Sequence, residues 1–429
     1  MNLSSRPAAA GLNPTTPSLA VPQRLWRLLG PAFVAAVAYV DPGNVAANIT
    51  AGARYGYLLV WVLVVANFIA VVVQYQSAKL GIVAGKSLPE LLGERLPTAQ
   101  RISMWAQAEI VAAATDIAEL IGGAIALNLL FGIPLFLGGV IVAVVSLLLL
   151  LIQNYRYQRA FESTIIGLLV LITAGFMAGL FFSPPSPSGI AHGLIPGFAG
   201  TDSVLIAASM LGATVMPHAI YLHSSLVIHR HGTTGSSGTE YRISPKRLLR
   251  ASRWDVVWAL LLAGAVNIGL LLLAASALGG QDNTDTIDGA HAAIESTLGH
   301  SVGIIFAIGL LASGLASTSV GAYAGSEIMK GLLHIRIPVS ARRLITVIPG
   351  LALLWWGVEP TWALVISQVV LSFGIPLAIL PLFRYTANPT IMGEFVDSPF
   401  KKLTTLVIAL FIVGLNALLL VLTFTGVGV

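Results

Sequence analysis

The sequence predicts an all-α, polytopic membrane protein with eleven transmembrane helices, ten of them forming a 5+5 inverted repeat with discontinuous helices 1 and 6. Three observations lead there. Only 10% of the 429 residues are charged and 56% are hydrophobic, whereas a soluble domain carries about 25% charged residues. The apolar residues fall in long runs, and about 20 apolar residues suffice to cross a hydrocarbon core. Two of the runs, the first and the sixth, are broken near their middle by a proline with polar or flexible neighbours.

The runs cover 25–55, 57–80, 103–130, 134–153, 161–182, 203–229, 253–278, 302–330, 341–357, 361–384 and 403–426. The third carries Glu109, Asp116 and Glu119, so hydropathy alone underrates it, and the ninth is short. Residues 1–22 are rich in Pro, Ala, Ser and Thr, with Arg6 the only charge. They lack the apolar stretch of a cleaved signal peptide and read as a flexible cytoplasmic tail. Segment 183–200 reads as a Pro/Gly-rich external loop and 229–244 as a Gly/Ser/Thr-rich cytoplasmic linker. The predicted organisation is therefore a tail (1–22), a ten-helix core (23–386) with repeats at about 25–182 and 203–384, and a linker with the eleventh helix (387–429).

Orientation follows from Lys and Arg in the short connections. With the N-terminus inside, Arg54 is the only one of 23 basic residues that falls outside. The long connection after the seventh run instead holds Asp282, Asp285, Asp288 and Glu295. A misplaced span would scramble this asymmetry, so it supports the span count together with an N-in, C-out topology. The net charge of +5 does not point to nucleic acid, because the basic residues sit between apolar runs. The absence of cysteine excludes disulfides, zinc–thiolate sites and iron–sulfur clusters.

In the first run stands Asp41-Pro42-Gly43-Asn44. Pro42 removes a backbone donor and disfavours helix at Asp41, and Gly43 loosens the chain. Such a break survives at membrane depth only where it lines a cavity or is buried in protein. A mid-membrane carboxylate costs about 2.5–3.5 kcal/mol, so it is rarely idle. The bland alternative is a proline kink with Asp41 capping the next half-helix, but a kink requires neither Asp nor Asn. In the sixth run Gly212 and Pro217 bracket Ala213-Thr214-Val215-Met216. Pro217 cannot bond back to Ala213, which leaves the Ala213 carbonyl available as a ligand. Met216 alone would be core filler; beside a break that mirrors the first, it becomes a ligand candidate. Breaks five spans apart are expected at the midplane site of inverted repeats.

The donors assembled are the Asp41 carboxylate, the Asn44 amide oxygen, the Ala213 carbonyl and the Met216 sulfur. Oxygen donors suit Mg, Ca and Mn, and a thioether is poorly matched to hard Mg and Ca. The mixture suits Mn(II), Fe(II), Co(II) or Cd(II).

At these residues the chain resembles the Nramp family of proton-coupled divalent-metal transporters, and most its bacterial manganese/iron branch. DPGN in the first span and MPHAIYLHS in the sixth carry the resemblance, which covers spans one to ten. GLASTSVGAYAGSEIMKG (314–331) and AEIVAAATDIAEL (108–120) are similar to further family segments. The resemblance implies a LeuT-type fold, alternating access, symport of Mn2+ or Fe2+ with protons, and no permanently bound cofactor. It implies metal binding by Asp41, Asn44, Met216 and the Ala213 carbonyl. It adds the Ala38 carbonyl in an inward-facing state and Gln368 in an outward or occluded one. A bacterial inner membrane and function as a monomer are expected. The chain departs from the family pattern at Ala219, Leu315, Ala316 and Lys330.

Protons need a route of their own. Glu109, Asp116 and Glu119 share one helical face, and acids buried in a membrane helix mark relays. His218 and His223 follow the second break and suit a shuttle. The family resemblance implies a path from Asp41 and His218 through Glu119 and Asp116 toward Arg230 and Arg343; Glu109 is placed nearer the cytoplasmic end, in either a relay or a purely structural role. The structural alternative is that the acids form salt bridges with Arg230, Arg342 or Arg343. Two other function classes stand beside this one: a sodium-coupled amino-acid carrier on the same fold, and a membrane metalloenzyme using His218 and His223. The second lacks an HExxH motif, and no GxxxxGK[ST] run suggests ATP drive.

Overall fold

The computed structural model describes residues 30–152, 158–231, 244–279, 286–335 and 337–425. The predicted tail, residues 232–243 of the predicted linker, and Asp282 and Asp285 lie outside them. All regular structure among the described residues is helical. The first span comprises α1 (Pro31–Val37), a 3-10 turn at Ala38–Val40, and α2 (Pro42–Tyr55). Next come α3 (Val60–Ala84), the short α4 (Leu88–Arg95), α5 (Thr98–Phe131), α6 (Leu135–Ile152) and α7 (Gln158–Phe182). A short α8 (Pro187–Gly193) precedes the sixth span, which is split into α9 (Gly200–Thr214) and α10 (Pro217–His231). There follow α11 (Pro245–Ala277), α12 (Ile287–Leu298), α13 (His300–Leu333), α14 (Val339–Trp355), α15 (Pro360–Thr386), α16 (Pro389–Met392) and α17 (Pro399–Thr425).

Each of the eleven predicted spans is thus occupied by a helix or by a pair of half-helices. Among the described residues, seven helical segments are long and apolar enough to cross a membrane by length and composition. Shorter apolar helices fill the first, fourth and fifth spans. α14, in the ninth, carries Arg342 and Arg343. Several helices outrun their apolar stretches: α5 starts at Thr98 and α11 at Pro245, ahead of the predicted 103 and 253. Charge ends a hydropathy run, but it does not end backbone hydrogen bonding. α11 begins where Pro245 takes the first helical position after Ser244.

The helix ends sort into two faces. On one, the Arg54 guanidinium at the end of α2 meets Asp202 of α9 at 3.0 Å, and Tyr55 donates to the same carboxylate at 2.7 Å. There too the Ile287 amide of α12 donates to Thr361 of α15. α12 carries Glu295, whose carboxyl is held below its ordinary range by a hydrogen bond from His300. On the opposite face α4 packs against α3, α10 and α13, α16 packs against α3 and α15, and Lys79, Lys86, Arg95, Lys330 and Arg384 lie at or beside these helix ends.

A buried ion pair closes that basic face. Lys79 Nζ lies 2.6 Å from Asp397 Oδ1, with side chains 4% and 2% exposed. Gln76 donates to the other Asp397 oxygen at 2.8 Å. Together they tie the connection before α17 to α3. Removing one partner strands the other charge out of water, which costs about 3–5 kcal/mol. Lys79→Ala should therefore lower the thermal unfolding midpoint, and Lys79→Ala with Asp397→Ala should recover part of the loss. A single variant as stable as the parent would show that the pair contributes nothing.

Candidate metal site

Proline and its neighbours build the first break as expected. Asp41 is extended (φ −77°, ψ 166°), as a residue preceding proline tends to be. Pro42 starts α2, where its missing N–H costs nothing. Asp41 Oδ1 accepts the Asn44 backbone N–H at 2.8 Å and its side-chain amide at 3.1 Å. The carboxylate therefore does cap the second half-helix. Its other oxygen receives Gln368 Nε2 of α15 at 3.3 Å. Gly43 is required beneath that contact, because a Cβ there would collide with the Gln368 side chain.

The second break is its counterpart. α9 stops at Thr214, Val215 leaves the helical region (φ −112°, ψ 68°), and α10 restarts at Pro217. The Ala213 carbonyl would bond residue 217 in a continuous helix, but Pro217 has no N–H. It instead accepts Asn44 Nδ2 at 2.8 Å. Ala38 stands in the same relation to Pro42, and its buried backbone lies in the 3-10 turn just before Asp41. Gly212 lets α9 approach α15 closely, since a Cβ there would meet the Gln368 carbonyl.

One cluster thus joins both breaks: Asp41, Asn44, Ala213 and Gln368 are linked by hydrogen bonds, and Met216 stands three residues beyond Ala213. All five are essentially inaccessible. The Asn44 and Gln368 side-chain oxygens have no hydrogen-bond partner. Buried acceptors without donors are costly, and they suit a cation. Among the described residues no group of three or more His, Cys, Asp or Glu side chains could hold a metal. The cluster offers one carboxylate with neutral oxygens and a sulfur, and the C-terminal end of α9 faces it with the negative end of its dipole.

The break carries further polar contacts, one of them from Asn267, which as a lone polar residue in the seventh span reads as helix–helix glue rather than a ligand. Ser313 of α13 donates to the Val40 carbonyl, and Asn267 of α11 donates to the Tyr39 carbonyl at 2.7 Å. Asn267 also accepts from Asn48 at 3.2 Å. These bonds satisfy carbonyls that the unwound turn would leave exposed to lipid-like surroundings. A lone Ser or Asn in an apolar helix gives no sign of such a target. At the N-terminus of α1, Asp255 of α11 accepts the Gly30 and Ala32 amides at 3.0 and 2.9 Å.

The acids of α5 divide into two groups. Asp116 Oδ1 lies 2.6 Å from Arg343 Nη1, and Glu119 Oε2 lies 4.0 Å from the same nitrogen. All three side chains are buried, and Ser146 and Thr318 accept from the remaining guanidinium nitrogens. Glu109 instead pairs with Arg342 at 2.7 Å and is one-quarter exposed. Arg230 lies near the end of α10 and is half-buried. The two histidines separate as well: His218 Nδ1 faces Thr115 of α5 at 3.4 Å, and His223 Nδ1 faces Gln74 of α3 at 2.8 Å. Five residues on a helix turn the side chain by about 140°, so the two rings address different neighbours. Gln74 in turn donates to the Tyr39 hydroxyl.

The family profile described as natural resistance-associated macrophage protein-like (Nramp) matches residues 32–422. The chain is 55% identical over 401 residues to the divalent metal cation transporter MntH of Mycobacterium tuberculosis (strain CDC 1551 / Oshkosh), covering 94% of this chain and 92% of that protein. Among solved structures, it is similar to the Eremococcus coleocola manganese transporter bound to an aromatic bis-isothiourea compound. The TM-score is 0.80 at 30% identity, covering 94% of this chain and 89% of that one. It also matches MhsT in complex with L-phenylalanine, with a TM-score of 0.57 at 15% identity over 91% of this chain and 97% of that one. At that identity the likeness extends to the fold alone.

Proposed function

The chain belongs to the Nramp family, and from that premise we propose that it imports Mn2+ or Fe2+ together with protons by alternating access. Its relatives are named as transporters, and a transporter of divalent metal cations, rather than an enzyme, is what this chain is. The observation that carries the finer reading is the junction of the two helix breaks through Asp41, Asn44 and the Ala213 carbonyl. A cation entering there replaces the Asn44 amide hydrogens as the partner of Asp41 and Ala213. A half-turn of that amide then turns its unpartnered oxygen toward the ion. Met216 adds the soft donor that favours Mn(II) and Fe(II) over Mg(II) and Ca(II). Gln368 joins while the site is closed, and the Ala38 carbonyl replaces it once the inner route opens.

Protons leave by a different way. The proposed relay runs from Asp41 and His218 to Glu119 and Asp116, with Arg343 holding the two acids in place. Glu109 with Arg342 forms the step nearer the cytoplasm, and Arg230 serves the exit. His223, bonded to Gln74, acts through the wall of the site. The host is a bacterial inner membrane, with the N-terminus inside and the C-terminus outside. The ten helices between residues 23 and 386 form the transport core, and one copy suffices for transport.

The experiment is ion uptake into proteoliposomes with internal pH recorded. Mn(II) should enter down an inward proton gradient and acidify the lumen, and alanine, leucine and Na(I) should not compete. Uptake driven by Na(I), or without proton movement, would overturn the coupling. Met216→Ala should retain most Mn(II) uptake and admit Ca(II) or Mg(II), and unchanged rejection of both would remove the sulfur as the selectivity element.

A further inference from the structure

A cleft of about 380 Å³ lies between α3, α11 and the first turns of α17, and no residue of either helix break lines it. Its mouth is basic and its wall is apolar. Arg253 and Lys401 both line it, and neither makes an ion pair or hydrogen bond among the described residues. Two unpaired cations converging on one cleft repel each other, and an anion relieves that repulsion. The carboxylate bonded to the lining residue Gln76 is already committed: Asp397 is neutralised by Lys79 at 2.6 Å and bonded by Gln76 at 2.8 Å. Asp255, two residues from Arg253, holds the Gly30 and Ala32 amides.

The remaining surface is apolar and exposed. Phe68 and Phe400 line the cleft and are 57% and 78% exposed, and Val71, Val72 and Val257 continue the apolar wall along the bundle. Trp254 and Trp258 stand beside it on α11, 52% and 58% exposed. Exposed tryptophans mark the level where headgroups meet hydrocarbon. Thr404 and Tyr75 supply hydroxyls at the same mouth.

We propose that this cleft binds an anionic phospholipid, with its phosphate between Arg253 and Lys401 and an acyl chain along the valine wall. Basic pockets between spans are a known way to hold such headgroups. A soluble anion would gain nothing from the apolar wall, and a zwitterionic lipid would bring its own cation against the two already there. The leaflet is the cytoplasmic one, a detail that rests on the N-in orientation proposed above; the site itself does not depend on it. The lipid would bridge α17 to α3 and α11 next to the Lys79–Asp397 pair.

The test uses full-length protein purified in a neutral maltoside detergent. It is titrated separately with dioleoyl phosphatidylglycerol, dioleoyl phosphatidylcholine and inorganic phosphate. Thermal unfolding and lipid retention in native mass spectrometry are the readouts, and neither requires transport. Phosphatidylglycerol should raise the unfolding midpoint and be retained, whereas phosphatidylcholine and phosphate should do neither. In Arg253→Gln with Lys401→Gln the apparent affinity for phosphatidylglycerol should fall roughly 30-fold, with the lipid-free midpoint unchanged. If that double variant does not fold, Lys401→Gln alone should lose about fivefold in the same titration. Equal effects of the two lipids, an equal effect of phosphate, or undiminished affinity in the variants would overturn the proposal.

Discussion

Asp41→Ala should abolish divalent-metal uptake. Among the described residues Asp41 contributes the only formal negative charge to the hydrogen-bonded junction of the breaks, since its partners Asn44, Ala213 and Gln368 are neutral. A single charge at membrane depth costs about 2.5–3.5 kcal/mol, and a divalent ion among neutral dipoles alone costs more. Uptake should therefore fall by at least about 100-fold. The substitution also removes the cap of α2, worth about 1 kcal/mol, so a loss of activity could arise from the fold. Asp41→Asn separates the two roles. Asn caps a helix as well as Asp does, yet carries no charge. It should leave the unfolding midpoint near that of the parent and still eliminate Mn(II) uptake. Normal transport by either variant would remove Asp41 from the metal path.

The second large effect is structural and concerns the proton route. Arg343 is fully buried, with Asp116 at 2.6 Å and Glu119 at 4.0 Å from one of its nitrogens. Arg343→Ala leaves two carboxylates facing each other without a cation, and breaking a buried pair in this way costs about 3–5 kcal/mol. The variant should be recovered in low yield or unfold at a clearly lower temperature. Adding Asp116→Asn removes one of the stranded charges and should restore much of the loss. Arg343→Lys should be intermediate, because an ammonium cannot reach Asp116, Ser146 and Thr318 together as the guanidinium does. An Arg343→Ala protein as stable as the parent would mean that the acids are already neutral and do not need the arginine.

Much of the fold was legible because lipid imposes simple demands. Spans must be long and apolar, and a proline in one of them must be answered by polar partners. Pro217 alone identified the Ala213 carbonyl, and Pro42 the extended turn at Asp41. The contacts that satisfy these breaks were not legible. Ser313 and Asn267 lie far away in sequence, and a single polar residue in an apolar helix does not announce which carbonyl it will meet. The loops hid helices as well. Segment 183–200, read as a Pro/Gly-rich loop, contains α8, started by Pro187 and capped by Ser186. Span three showed that Glu109, Asp116 and Glu119 share a face, but not that Glu109 would pair with Arg342 and the other two with Arg343. That division depends on where α14 lies against α5, which no local pattern encodes. His218 and His223 looked like one shuttle in sequence, and helical rotation separates them.

The most direct measurement of the central claim is the anomalous scattering of Mn(II) in crystals of this protein. A single strong peak should appear between the two breaks, bonded to the Asp41 carboxylate and to the Ala213 carbonyl, with the Met216 sulfur in its coordination shell. A peak elsewhere in the bundle, or one at Asp41 with Met216 out of bonding reach, would contradict it.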